Sequence, residues 1–105
     1  MTRRPHQRIL GPDDSRAPAR RARHGLTADE VDALIVAQGG GCAVCGRTDR
    51  ALEIDHDHRH CPGTMGCRRC VRGAVCGRCN RAIWGLADDV AIARRLVGYL
   101  ERTMP

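Results

Sequence analysis

The fold of this chain is decided by residues 71–80, VRGAVCGRCN, together with the shorter stretch 42–46, CAVCG. Each stretch contains a Cys-x2-Cys pair, the spacing that places two thiolates on one tetrahedral zinc ion. Val71–Val75 predicts a short strand that delivers the chain to the second pair. One structural zinc ion is therefore predicted on four thiolates, those of Cys42, Cys45, Cys76 and Cys79.

The flanking sequence predicts the remaining elements. Ala51–Asp55 alternates and predicts a first short strand. Upstream, Thr27 and Glu30 have the spacing of a capping box, and 39–41, GGG, ends the helix that the box begins. Downstream, a helix from Cys79 through Leu86 is followed by a final helix capped by Asp88 or Asp89. The apolar stripe of that last helix is expected to pack on its own domain; it consists of Ala93, Leu96, Val97 and Leu100.

Composition indicates that such a domain needs metal. The chain has 105 residues, no Phe, one Trp and one Tyr, so its single core must be thin. Seven Cys leave one unpaired in any all-disulfide scheme. No secretory signal and no apolar run of membrane-spanning length is visible, so reduced thiols and a cytoplasmic, intracellular location are expected. The fold class predicted is a small α+β domain stabilised by zinc.

Positive charge is concentrated at the start of the chain. Residues 1–23 contain seven Arg and two Asp, within a formal net charge of +6 for the whole chain. We expect residues 1–24 to form a basic, disordered arm and residues 25–105 to form the domain. A basic arm on a nearly neutral domain predicts a polyanionic partner, above all DNA. The alternative is a solvated tail that binds nothing.

Four polar residues lie where the predicted elements end. Asp55, His56 and His58 follow the first strand, and Asn80 follows the last Cys of the second zinc pair. Carboxylate and amide oxygens are ligands that Mg²⁺ accepts, and imidazole is a natural general base. Each residue also has a structural alternative. Asp55 could cap the strand, either His could be a zinc ligand, and Asn80 could be only a helix N-cap.

Three stretches together resemble a known family. The runs 52–58, LEIDHDH, and 71–80, VRGAVCGRCN, with 24–46, HGLTADEVDALIVAQGGGCAVCG, closely resemble the recombination endonuclease VII group of HNH (His-Me finger) nucleases, a family common in phages. The resemblance implies a ββα-metal core with flanking helices and a divalent-metal-dependent DNA endonuclease, on branched DNA or as a nicking enzyme. It assigns His56 as general base, Asp55 and Asn80 as Mg²⁺ or Mn²⁺ ligands, and His58 as a supporting residue.

Two features depart from that family's simplest form. Larger members dimerise through long C-terminal helices, and here only residues 88–103 are available, so monomer and weak homodimer both stay open. Some members also place an acidic side chain one turn after the Asn, where this chain has Ile83.

The loop before the second strand holds further metal ligands. The prediction is a second structural zinc ion on His60, Cys61, Cys67 and Cys70. The alternatives are free thiols, or a sharing in which Cys67 and Cys70 join Cys76 and Cys79.

Three arginines flank the predicted site and are candidates for contacts to DNA phosphates: Arg72, Arg78 and Arg81. Two other functions use the same cysteines. A non-catalytic zinc-ribbon-like module would bind nucleic acid without cleaving it, and a zinc adaptor for another protein would make the basic arm incidental.

Overall fold

Two antiparallel strands and three α-helices make up the part of the chain that the computed structural model describes, residues 23–104. The elements in chain order are α1 (Ala28–Ala37), β1 (Leu52–His56), β2 (Val71–Cys76), α2 (Gly77–Gly85) and α3 (Val90–Leu100). A single 3-10 turn, Arg68–Cys70, precedes β2. The predicted small α+β class is therefore confirmed. Most of the predicted arm, residues 1–22, lies outside the described residues.

Helix α1 begins and ends where the sequence predicts. The Thr27 N–H donates to Glu30 Oε1 (2.9 Å) and the Glu30 N–H donates to Thr27 Oγ1 (3.1 Å), which completes the capping box. At the other end, Gly39 and Gly40 have φ of 94° and 83°, a backbone conformation that favours glycine. No helix between residues 23 and 104 is long and apolar enough to cross a bilayer.

The amide side chain of Gln38 joins α1 to the sheet. Its Nε2 donates to the carbonyls of Gly41 (2.7 Å) and Ala74 (2.6 Å), and its Oε1 accepts from the Ala74 N–H (3.1 Å). The Gln38 amide thus pairs with both backbone groups of Ala74, as a neighbouring strand would.

Strands β1 and β2 form a two-stranded sheet with one irregularity. Leu52 pairs with Cys76 at one end, and Asp55 pairs with Gly73 near the other. The register shifts between Asp55 and His56, so that Arg72 of β2 is passed over. A bulge of this kind changes the direction of the side chains beside it. Here it lies next to the residues predicted to carry the chemistry.

The core is small and contains three of the four ligands predicted for the first zinc ion. The largest fully buried side chains are Val31, Ile35 and Leu52. The same buried cluster also holds Ala74, Val75 and three cysteines, which are Cys42, Cys76 and Cys79. Three cysteines of the first predicted zinc site therefore occupy positions that larger apolar side chains would fill in a bigger core.

Helix α2 begins earlier than predicted, at Gly77, with Cys76 as its N-cap residue. Asn80 consequently lies one turn inside the helix, and the alternative that it serves as an N-cap is wrong. Its side chain is free to project from the helix towards β1.

Helix α3 is capped by Asp89, whose carboxylate accepts from the N–H groups of Ala91 (2.9 Å) and Ile92 (3.2 Å), as predicted. The expectation that its apolar stripe packs on the domain is wrong, because no residue of α3 is buried and Leu100 is 71% exposed. The sequence period identifies the stripe but not what covers it.

Candidate functional site

The four cysteines of the two knuckles meet at one point. Their sulfur atoms all lie within 4.8 Å of one another, and Sγ of Cys45 is 3.9 Å from Sγ of Cys76. Zn–S bonds of ~2.3 Å in a tetrahedron place the sulfurs about 3.8 Å apart, so this set fits zinc. Burial opposes ionisation of Cys42, but the N–H groups of Cys45, Cys76 and Val44 stabilise its thiolate and lower its pKa to about 6.

The loop between β1 and β2 contains the second predicted cluster. The ligand atoms of His60, Cys61, Cys67 and Cys70 also lie within 4.8 Å of one another. This grouping rules out the alternative in which Cys67 and Cys70 share a metal with Cys76 and Cys79. Neither His56 nor His58 belongs to either cluster, so their alternative role as zinc ligands is also not supported.

The end of β1 forms one wall of a cleft of about 440 Å³. All four residues that the sequence predicts for catalysis line it: Asp55, His56, His58 and Asn80. Four further residues complete its polar and aromatic lining: His24, Glu53, Thr64 and Trp84. Residues from β1, α2 and the segment before α1 therefore converge on one concave surface, the usual form of a ligand site.

The ring of His56 is buried, 3% exposed, and is held in one orientation. Its Nε2 lies 3.0 Å from the Cys61 carbonyl oxygen and 3.2 Å from that of Gly63. Carbonyl oxygens only accept hydrogen bonds, so Nε2 carries the proton and donates to both. In the neutral ring Nδ1 then has a free lone pair. That atom can take a proton from a water molecule in the cleft.

His24 is a member of the site that the sequence did not reveal. Its Nδ1 accepts from the Gly66 N–H (2.6 Å), so its Nε2 is the donor to the Ile54 carbonyl (3.2 Å). The His24 ring packs against that of His56, with centroids 4.5 Å apart. Burial and then the neighbouring His56 lower the pKa of His24, which favours this neutral form. The sequence predicts His24 at the end of the basic arm, because residues 1–23 show no apolar period.

Asp55 is paired with Arg72. The guanidinium donates through Nε to Asp55 Oδ2 (2.7 Å) and through Nη2 to Asp55 Oδ1 (3.1 Å), and Nη2 also reaches Asp88 (3.2 Å). The two carboxylates are 5% and 3% exposed. Arg72, predicted as a DNA contact, thus neutralises two buried acids at the bulge.

Asp88 also holds His58. Its Oδ2 accepts from the backbone N–H of His58 (2.8 Å) and from Nδ1 of the His58 ring (3.0 Å). Burial opposes ionisation of Asp88, but the His58 N–H and the Arg72 guanidinium outweigh it and hold the pKa of this carboxyl below its usual value. The His58 ring lies between those of His56 (4.2 Å) and Trp84 (4.5 Å). Asp88 lies in the left-handed region (φ 59°), which Asp tolerates.

Asn80 is paired with an acidic residue of β1. Its Nδ2 donates to Glu53 Oε1 (2.6 Å), which leaves its Oδ1 available to another partner. Glu53 and Asp55 are two residues apart on one strand and therefore face the same side. Glu53 thus places a carboxylate close to Asn80. Ile83, one turn after Asn80, is apolar and cannot supply one. Alternation along β1 is the signal that could have identified Glu53.

The remaining predicted contacts lie on α2. Arg78 and Arg81 are both exposed, as is Trp84, which is 53% exposed at the edge of the cleft. Trp84 lines the cleft, and Arg78 and Arg81 are accessible on the same helix.

Comparisons with known proteins identify the family. The family model of recombination endonuclease VII matches residues 18–102. The chain is 35% identical to the Gene 59 protein of Mycobacterium phage D29, an alignment that covers 77% of this chain and 47% of that protein. It is 34% identical to the Gene 59 protein of Mycobacterium phage L5, over 75% and 46%. No solved structure matches it significantly. The chain spans about half the length of these curated relatives, and it belongs to the recombination endonuclease VII family.

Proposed function

We propose that this chain is an HNH-type DNA endonuclease that hydrolyses phosphodiester bonds with a water activated by His56 and with a bound divalent metal ion. The observation that supports this most directly is the position of the His56 ring, whose Nε2 lies within hydrogen-bond distance of two carbonyl oxygens. Nε2 therefore donates to both carbonyls, which leaves Nδ1 as the basic atom of the ring. A positioned imidazole with a free lone pair is what general-base catalysis requires near neutral pH.

The residues around His56 suit a hard cation. Asp55 and Asn80 are the proposed ligands of Mg²⁺ or Mn²⁺, and Glu53 is a third oxygen donor beside them. Both Asp55 oxygens accept from Arg72, but each carboxylate oxygen has a second lone pair. A divalent ion at such a site supplies stabilisation of the charge on the phosphate and on the leaving oxygen.

Each residue of the proposed site has its own role in the reaction. His56 takes the proton of the attacking water at Nδ1, while the Cys61 and Gly63 carbonyls steady Nε2–H as the ring becomes cationic. Arg72 holds Asp55 in place, and Asp88 fixes the ring of His58 through Nδ1. The succession of β1, β2 and α2 supports the proposal of a ββα-metal core. In this proposal a structural zinc ion on Cys42, Cys45, Cys76 and Cys79 stabilises the core.

Contacts to DNA are proposed for the exposed arginines of α2, the helix that also carries Asn80 and Trp84. Arg78 and Arg81 are exposed on α2 and are suited to phosphates. Arg72 has less freedom because two carboxylates hold it. Replacing either exposed arginine by Ala should weaken binding to all sequences alike and lower the salt dependence of binding by about one phosphate contact.

A nicking assay on zinc-loaded protein tests the proposal. Supercoiled plasmid and a synthetic four-way junction are incubated with EDTA, Mg²⁺ or Mn²⁺, and wild type is compared with His56→Ala. The proposal expects cleavage that requires added metal and falls at least ~100-fold in the variant, the usual contribution of a general base. Salt-sensitive DNA binding without cleavage, by folded protein on both substrates, would instead indicate a non-catalytic nucleic-acid-binding module.

A further inference from the structure

The second cysteine cluster has the dimensions of a zinc site. His60 Nδ1 lies 3.4 Å from Cys61 Sγ and 3.6 Å from Cys67 Sγ, and Cys67 Sγ lies 3.9 Å from Cys70 Sγ. Tetrahedral zinc with Zn–N of ~2.0 Å and Zn–S of ~2.3 Å requires N–S and S–S separations of about 3.5 and 3.8 Å. The four ligand atoms are therefore already spaced for one ion.

This cluster shares a residue with the surroundings of the proposed general base. Cys61 contributes its sulfur to the cluster and its carbonyl oxygen to His56 Nε2, 3.0 Å away. Gly63, two residues further along, supplies the second acceptor. Gly66, directly before Cys67, packs against the His56 ring so closely that a Cβ there would lie 2.5 Å from its Cγ. The contacts of His56 thus lie along the loop between the first and the last ligands of the cluster.

Apolar packing holds little of this part of the loop in place. Residues 62–65 are exposed, and between residues 57 and 70 only Cys70 is buried. Apolar burial therefore contributes little to its position. The Asp57 N–H donates to the Cys70 carbonyl (2.8 Å) and closes the base of the loop. The Gly66 N–H donates to His24 Nδ1 (2.6 Å) and Arg68 pairs with Glu30, so polar contacts hold the loop on either side of its exposed tip, residues 62–65. A metal ion on four of its residues would fix the tip, since ligand binding to a site formed only in the folded state stabilises that state.

We propose that a second zinc ion, bound by His60, Cys61, Cys67 and Cys70, positions His56 through the carbonyl oxygens of Cys61 and Gly63. The inference rests on the proposed role of His56 as general base. Zinc here takes no part in the reaction. It sets the position and tautomer of the imidazole, and the four ligands are positioning residues.

Four proteins test this inference. His60→Ala/Cys67→Ala removes two ligands that are not in the core. His60→Cys replaces one ligand by another that zinc accepts equally well. Met65→Ala is the matched control, because Met65 lies in the same loop, is 62% exposed and is not a ligand. The wild type is the reference for all three.

Three properties are measured on each protein. Zinc per chain is determined after exhaustive dialysis, and the ¹⁵N signals of the His56 ring are recorded by NMR. The kcat and KM for plasmid nicking are determined with saturating Mg²⁺. A circular dichroism spectrum and one retained zinc ion establish that the double variant still folds around Cys42, Cys45, Cys76 and Cys79.

The expected pattern is specific. Wild type, Met65→Ala and His60→Cys bind two zinc ions and show a His56 ring protonated only at Nε2. The double variant binds one zinc ion, its two ring nitrogens shift towards tautomer-averaged values, and kcat falls about 100-fold while KM for DNA is unchanged. One zinc ion in the wild type would overturn the inference. So would an unchanged His56 ring in the double variant, or a His60→Cys protein that binds two ions but matches the double variant in kcat.

Failure of the proposed function remains distinguishable. If the wild type cleaves no DNA, the nuclease proposal fails on that result alone. Zinc content and the His56 ring signals still decide whether the second site holds the imidazole, because neither depends on turnover.

Discussion

Gly66→Ala is the perturbation whose effect follows most directly from the geometry of the site. A Cβ at position 66 would lie 2.5 Å from Cγ of His56 and 2.8 Å from both its Cβ and its Cδ2. These atoms belong to the body of a buried ring and not to the end of a flexible side chain. The added methyl group cannot be accommodated by a rotamer change, so the ring or the loop must move.

The size of that movement can be worked out from the contact. Ordinary van der Waals contact begins at 3.4 Å, so a separation of 2.5 Å requires a displacement of about 1 Å. A displacement of that size in a catalytic group costs roughly 100-fold in rate. Overpacking of this kind should also lower the free energy of unfolding by about 1–3 kcal/mol. The nicking rate and the free energy of unfolding should therefore both change by measurable amounts.

Gly63→Ala is the matched control. A Cβ at Gly63 meets nothing within 4 Å, although the residue lies in the same loop and its carbonyl also accepts from His56. Both variants lose the same backbone freedom in the unfolded chain. Nicking rates at saturating Mg²⁺ and denaturant unfolding should then separate them, with Gly63→Ala close to wild type. Equal nicking rates for the two variants, with both folded and zinc-loaded, would refute the argument that Gly66 sets the position of His56.

Three further predictions concern the charged groups of the site. Arg72→Ala leaves Asp55 and Asp88 buried without a counter-charge. It should lower the free energy of unfolding by about 3 kcal/mol, the lower end for a broken buried pair because Arg72 is itself 34% exposed. Urea unfolding measures this, and the control Arg81→Ala should change the free energy of unfolding by no more than ~0.5 kcal/mol. The pKa of Asp88 is held below its unfolded value of ~3.9, so its ionised form stabilises the fold above that pH and the contribution disappears as pH falls through the folded pKa. Asn tolerates the same φ of 59°, so Asp88→Asn tests the charge alone. Between about pH 5 and about pH 3 the free energy of unfolding of this variant should therefore fall less than that of the wild type. Parallel curves of unfolding free energy against pH for the two proteins would contradict this. Glu53→Gln keeps an acceptor for Asn80 but removes a charge from an exposed residue. The Mg²⁺ concentration for half-maximal nicking should therefore rise about 10-fold without loss of stability. An unchanged Mg²⁺ requirement would show that Glu53 does not support the metal.

The sequence by itself determined the features that depend on spacing along the chain. The capping box at Thr27 and Glu30 and the glycines after Gln38 act within a few residues, so their positions in the sequence set the ends of α1. The Cys-x2-Cys pairs and His60 likewise determine which ligands can meet, because tetrahedral zinc accepts few arrangements. The resemblance to endonuclease VII placed Asp55, His56, His58 and Asn80 in one site, and the structure brings them to one cleft.

Only the tertiary structure decided which groups surround those residues. Arg72 and Asp55 are 17 positions apart, Asn80 and Glu53 are 27 apart, and His24 and Gly66 are 42 apart. Their contacts depend on the bulge at Arg72, on the extra turn of α2 before Asn80 and on the path of the loop past His56. Side-chain periodicity carries no information about such pairings, since it reports which face is apolar and not what meets it. The exposed stripe of α3 has the same explanation: its pattern was visible in the sequence, but its burial depended on a partner surface that the described fold does not provide.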